Sequence, residues 1–166
     1  MKRIAIISLV ISFLSATTIN VPADYATIQG AINQSVDGDT VLVAEGTYYE
    51  NLMINKEITL MSTANFDDDI EGNENWHDNQ IINQTIVNGS NLANPNKRSC
   101  LVVRDGDVQP TIKGFTFEGG VGTKMNIIGC DAGGGIQRSE ITGGGVLVYD
   151  AYPTINYNRF IGNGTT

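Results

Sequence analysis

Histidine and cysteine are almost missing from this sequence: one His and two Cys in 166 residues. His77 stands among Asn and acidic residues, so it reads as a solvated loop residue and not as a ligand or a base. No Cys/His spacing resembles a zinc site. Cys100 and Cys130 could pair in an oxidising compartment or persist as two buried thiols, and sequence leaves both readings open. Basic residues are scarce as well, 10 Lys and Arg against 18 Asp and Glu, a net charge of −8. A chain this acidic repels phosphate backbones, which argues against nucleic acid as a partner. An uninterrupted apolar stretch of about 20 residues, the length a membrane-spanning helix needs, is also missing.

The longest apolar run, Ile4 to Leu14, follows the basic start Met1-Lys-Arg and precedes the small residues of Leu14-Ser15-Ala16. That layout is a secretory signal peptide, residues 1–16, with no span left after cleavage. No Cys lies near the cleavage site for a lipid anchor. Cleavage removes Lys2 and Arg3, leaving 8 basic and 18 acidic residues, 8 − 18 = −10. The expected location is secreted, extracellular or at the cell surface, with a periplasm as the bacterial equivalent.

Within residues 17–166, Tyr25 to Val36 carries the one helical pattern. Ile28, Ala31, Ile32 and Val36 share a face, Asp24 or Thr27 can cap the start, and Asp37-Gly38-Asp39 ends it. Short alternating strands follow at Thr40–Val43, Asn51–Asn55 with Leu52 and Ile54 inward, and Ile58–Met61 with Ile58 and Leu60 inward. They resume at Thr85–Asn88, Cys100–Val103, Thr111–Phe117, Val146–Val148 and Thr154–Ile161. Phe66 to Gln80, rich in Asp, Glu, Asn and Gly, reads as a surface loop; its acidic cluster offers oxygen ligands for calcium but lacks the EF-hand spacing. Val121 to Gly145 is Gly-rich and reads as a long loop or insertion.

Two stretches repeat. Pro-Thr-Ile recurs at 110 and 153, and Phe117/Phe160 and Gly119/Gly162 keep the same offset of 43, while Val103 and Val148 differ by 45. Such self-similarity marks a repeat architecture in which one coil cannot bury its apolar face alone. Stacked coils would align equivalent side chains into ladders at about 4.8 Å. Asn55, Asn88 and Asn156 suit left-handed corners, and the helix would cover the open first coil. The opposite end shows no cap, so the natural protein is expected to continue past residue 166. Asn83-Gln-Thr85 and Asn88-Gly-Ser90 match the glycosylation acceptor pattern.

Val21-Pro-Ala-Asp-Tyr-Ala-Thr-Ile-Gln-Gly-Ala-Ile, followed by Asp37-Gly-Asp-Thr-Val-Leu-Val-Ala-Glu-Gly-Thr-Tyr-Tyr-Glu-Asn51, resembles the opening of the pectin lyase-like superfamily. The resemblance implies an all-β fold, a right-handed parallel β-helix (a solenoid) with an N-terminal capping helix. It implies no single activity, because many functions share that scaffold. The motif of pectin methylesterases would fall near Phe160-Ile-Gly-Asn-Gly-Thr165, where Gly and Thr replace its Gln and Asp. The glutamine expected after Gly114-Phe-Thr-Phe117 is missing too. Arg104, Asp105 and Asp107 supply the residue types of a pectate lyase without its motif.

The chain thus carries no catalytic motif. It reads as a glycan-binding or structural module acting on a polysaccharide or cell-surface glycan. The alternatives are an adhesive stalk, or the first part of a polysaccharide lyase, glycoside hydrolase or esterase whose active site lies beyond residue 166. Tyr48, Tyr49, Trp76, Tyr149, Tyr152 and Tyr157 could stack on sugar rings. Tyr149, Tyr152 and Trp76 are the chief candidates. If Val103 stacks on Val148, Arg104 lies beside Tyr149 and Asp105 beside Asp150. Two carboxylates one coil apart repel; a shared cation, calcium being the candidate, or a proton held by one of them would relieve them.

Overall fold

The computed structural model describes residues 15–67, 72–90, 96–131 and 134–164. The apolar run read as a signal peptide and much of the acidic cluster, 68–71, lie outside the described residues. The chain is mostly β-strand. Strand β1 spans Thr18–Val21, helix α1 Ile28–Gln34, β2 Thr40–Val43, β3 Gly46–Tyr48, β4 Leu52–Ile54 and β5 Thr59–Ser62. Helix α2 (Gln80–Gln84) leads into β6 (Thr85–Asn88), β7 (Lys97–Arg98), β8 (Leu101–Arg104), β9 (Thr111–Lys113) and β10 (Thr116–Glu118). Strands β11 (Gly122–Asp131) and β12 (Gly134–Thr142) form a hairpin, and β13 (Val146–Tyr149), β14 (Thr154–Asn156) and β15 (Arg159–Ile161) follow.

Three sheets are built of parallel pairs. Their orders are β1-β2-β5-β9-β14, β3-β6-β10-β15 and β4-β8-β13, here sheets A, B and C. From β2 onward, apart from β7 and the hairpin, the strands visit the sheets in the repeating order A, B, C. Parallel neighbours therefore come from successive circuits, an arrangement compatible with a β-helix. Alternation decides which side chains enter. Val41, Leu60, Ile112 and Ile155 align across sheet A, Tyr48, Val87, Phe117 and Phe160 across B, and Ile54, Val103 and Val148 across C. These ladders supply the main core, and each fully buried aliphatic side chain contributes about 1.5–3 kcal/mol. The repeat offset is observed as register: Ile112 pairs Ile155 and Phe117 pairs Phe160.

Helix α1 is two turns long and depends on its surroundings. Thr27 caps it, its Oγ1 accepting from Gly30 N at 3.1 Å. The Glu50 carboxylate accepts from Ile28 N and Gln29 N, both at 2.9 Å, where negative charge suits the helix start. At the other end the Lys56 ammonium donates to the carbonyls of Ile32, Asn33 and Ser35. Ile28, Ala31 and Ile32 are buried, and the helix touches β1, β2 and β4.

Several local expectations are corrected. The helix is shorter than Tyr25–Val36, and Val36 is exposed because the chain has already left helical geometry at Ser35. Gly46 opens a third strand instead of only breaking one. The loop after Phe66 contains a 3-10 turn, Trp76–Asp78, and α2 begins within it, with Asn79 Oδ1 accepting from Ile81 N and Ile82 N. This segment forms a second small core of Ala64, Phe66 and Ile82. Val121–Gly145 is mostly an antiparallel hairpin, not a loop, and β11 also pairs antiparallel with β7. Among the described residues the left-handed non-glycine positions are Asp105, Asp107, Asp150 and Tyr157, not the three asparagines expected at corners. Asn88 and Asn156 lie in strands instead.

Candidate binding groove

Alternation in sheet C sends Leu52, Ile54, Leu101 and Val103 into the core. Met53, Val102, Arg104 and Tyr149 then face outward, and Tyr149 pairs Arg104 in register as the sequence repeat requires. Beyond this face the hairpin supplies a second wall through Thr123, Lys124 and Met125. The enclosed groove has a volume of about 320 Å³, at the small end of ligand sites.

The walls are tied by buried polar contacts. Ser99 Oγ and Thr123 Oγ1 lie 2.7 Å apart, and Ser99 N donates to Thr123 Oγ1 at 3.2 Å. Asn51 Nδ2 donates to the carbonyls of Gly89 and Ser99. Asn51, Asn96 and Ser99 also line the groove, placing polar side chains beside an apolar floor. Arg104 and Lys124 line it and, among the described residues, no carboxylate does, a local reversal in a chain of net charge −8. Asp105 Oδ1 accepts from Arg104 Nε at 2.9 Å, which leaves the terminal guanidinium nitrogens outside that contact.

The sequence-derived candidates separate in space. Tyr149 lines the groove and is 57% exposed. Tyr152 is 66% exposed but not part of the lining. Trp76 is half-buried, edge-on to Tyr157 at 5.7 Å between ring centroids, within the second small core. Tyr48 and Tyr157 are half-buried as well, whereas Tyr49 is exposed. Asp105 and Asp150 occupy equivalent corners, both with positive φ, and Gly106 N donates to Asp150 O at 2.8 Å. Among the described residues no group of three or more His, Cys, Asp or Glu could hold a metal ion. Calcium at this corner would therefore rest on two carboxylates completed by carbonyl or water oxygens, in competition with Arg104.

Cys100 is a free, buried thiol. Its Sγ lies 3.2 Å from Glu118 O and 3.4 Å from Asn163 Oδ1, two acceptors for its single proton, and burial pushes its pKa up to about 11. His77 is half-exposed beside Asp78, as expected of a loop residue. Both candidate glycosylation asparagines are engaged: Asn83 Oδ1 by Arg159 Nη1, and Asn88 Nδ2 by Glu118 Oε1 at 2.9 Å.

Sequence reasoning missed Met53, Val102, Lys124 and Met125. Strand alternation marks the first two as outward, but Lys124 and Met125 lay in a segment read as loop. No helix among the described residues is long and apolar enough to cross a membrane. No protein-family model, no curated protein and no solved structure matches this chain.

Proposed function

We propose that the chain is a right-handed parallel β-helix of the pectin lyase-like kind, with α1 as its N-terminal cap, and that it is a secreted or cell-surface module binding an acidic glycan. The cyclic order of three parallel sheets supports the architecture. One observation carries the function: the exposed Tyr149 ring shares a groove with Arg104 and Lys124, and among the described lining residues there is no carboxylate. An aromatic face packs on a sugar ring, the two cations meet carboxylate or sulfate groups, and the Asn51 carbonyl oxygen can accept from a sugar hydroxyl.

Titration calorimetry with neutral, uronate and sulfated oligosaccharides tests this reading. Binding should favour the anionic set, weaken with salt, and fall by about tenfold in Tyr149→Ala and further in Arg104→Ala with Lys124→Ala. No binding to any anionic oligosaccharide, or binding unaffected by these changes, overturns it. The same titration with and without calcium tests whether Asp105 and Asp150 contribute a bridging ion.

A further inference from the structure

Asp39 is almost sealed from solvent, 3% exposed, and no cation lies against it among the described residues. Burying a carboxylate without a counter-charge is costly. Its oxygens collect hydrogen bonds instead. Oδ2 accepts from Val36 N at 2.8 Å, and Oδ1 accepts from Thr17 N at 2.8 Å and from Thr17 Oγ1 at 2.9 Å. Lys56 attracts the carboxylate only from a distance, its ammonium already donating to the carbonyls of Ile32, Asn33 and Ser35. Thr17 is held on its other side as well, its carbonyl accepting from Thr40 N at 2.8 Å just ahead of β1. Ser15 and Ala16, by contrast, are exposed and belong to no helix or strand.

We propose that the Ala16–Thr17 bond is the site of proteolytic maturation and that the α-ammonium released there is the missing counter-ion of Asp39. The proposal rests on the secreted reading and not on the groove. Hydrolysis by a leader-removing peptidase adds water across the bond. Ala16 departs with a carboxylate, and the Thr17 amine takes up a proton, since an α-amine ordinarily titrates at about 7.7–8.0. The Thr17 nitrogen already stands 2.8 Å from Oδ1, so the charge arrives where it is needed without moving the chain. A hydrogen bond from a neutral amide becomes a charge-assisted one, about twice as strong. The pairing also singles out this bond. Cleavage one residue earlier would carry the ammonium about 3.8 Å along the exposed chain, and cleavage one residue later would remove both Thr17 donors. An uncleaved chain keeps the peptide N–H but lacks the charge. The ion pair therefore fastens β1 to the turn between α1 and β2 only after the leader has gone.

The full-length chain is expressed in a secreting host, and the exported protein is read by intact mass and N-terminal sequencing. It should begin at Thr17. Its α-amine should be acetylated at pH 7 at least about fivefold more slowly in the native protein than in urea, because the ion pair keeps it protonated although Thr17 is exposed. The same chain released with Ala16 retained keeps the Thr17 N–H and moves the charge one residue away; its melting midpoint should lie about 3–6 °C lower. In an Asp39→Asn background the extra Ala16 should shift the midpoint by less than about 1 °C. The acetylation rate needs no variant, so a poorly folded Asp39→Asn leaves the test intact. A start elsewhere than Thr17, or a leader still attached, overturns the maturation site and the ion pair together. A start at Thr17 with an unprotected amine, or with a midpoint indifferent to the extra Ala16, overturns the ion pair while the secreted reading stands.

Discussion

Truncating the same ladder at two depths should give two different costs. Ile112 lies in register between Leu60 and Ile155 and is fully buried. Ile112→Ala removes three carbons, about 2.4 kcal/mol of transfer free energy at about 0.8 kcal/mol each. Neighbouring circuits hold the walls apart, so each ~40 Å³ left unfilled adds roughly 1 kcal/mol. The expected destabilisation is about 3–4 kcal/mol. Among the described residues Ile155 has a register partner on one side only, and it is half-buried, so Ile155→Ala loses part of the transfer term and seals no cavity, about 1–1.5 kcal/mol. Urea unfolding followed by far-ultraviolet circular dichroism reads both. Equal losses, or a larger loss at Ile155, would refute the stacking of these circuits.

Asp39 accepts from Val36 N and Thr17 N, and these bonds hold its carboxyl below the ordinary value of 3.8. A depressed folded-state pKa means that its contribution is complete above the ordinary value and is lost as pH falls through the lower, folded one. Unfolding midpoints measured from pH 6 downward should drop steeply below about pH 4, and Asp39→Asn should flatten that drop while lowering the midpoint at neutral pH. Cys100, with its thiol pushed up to about 11, should resist iodoacetamide at pH 8 in a Cys130→Ser background until urea unfolds the chain; labelling in the native state would contradict its buried placement. At Gly120 an added Cβ would collide with the Gly144 carbonyl and approach Cys100 Sγ at 2.9 Å. Gly120→Ala should therefore cost about 1–3 kcal/mol in the same urea assay, and a neutral outcome would mean that the corner is looser than drawn.

What could be read in advance depended on whether a feature was written in one segment or shared between distant ones. Thr40–Val43 was legible because β-branched alternation is local, and Ile28, Ala31 and Ile32 because helical spacing is local. The register of Phe117 on Phe160 was legible because the chain repeats itself. The helix ends were misjudged because Glu50 and Lys56, more than 20 residues away, supply the polar contacts at its two ends. Val121–Gly145 looked like loop because its many glycines mask a strand signal that long-range antiparallel pairing enforces. The groove needed both of these, so only Tyr149 and Arg104, neighbours through the repeat, were anticipated on one side of it. Trp76, exposed by composition alone, is half-buried because Tyr157 folds back against it from the last circuit.

The groove and the seat of α1 both follow from strands of successive circuits running in one direction, and cross-strand nuclear Overhauser contacts in the labelled chain test that directly. Thr111 should contact Thr59 and Thr154, Ile112 should contact Leu60 and Ile155, and Lys113 should contact Met61 and Asn156. Contacts of Thr111 with Asn156 and of Lys113 with Thr154 would mean opposed strands and would contradict the account.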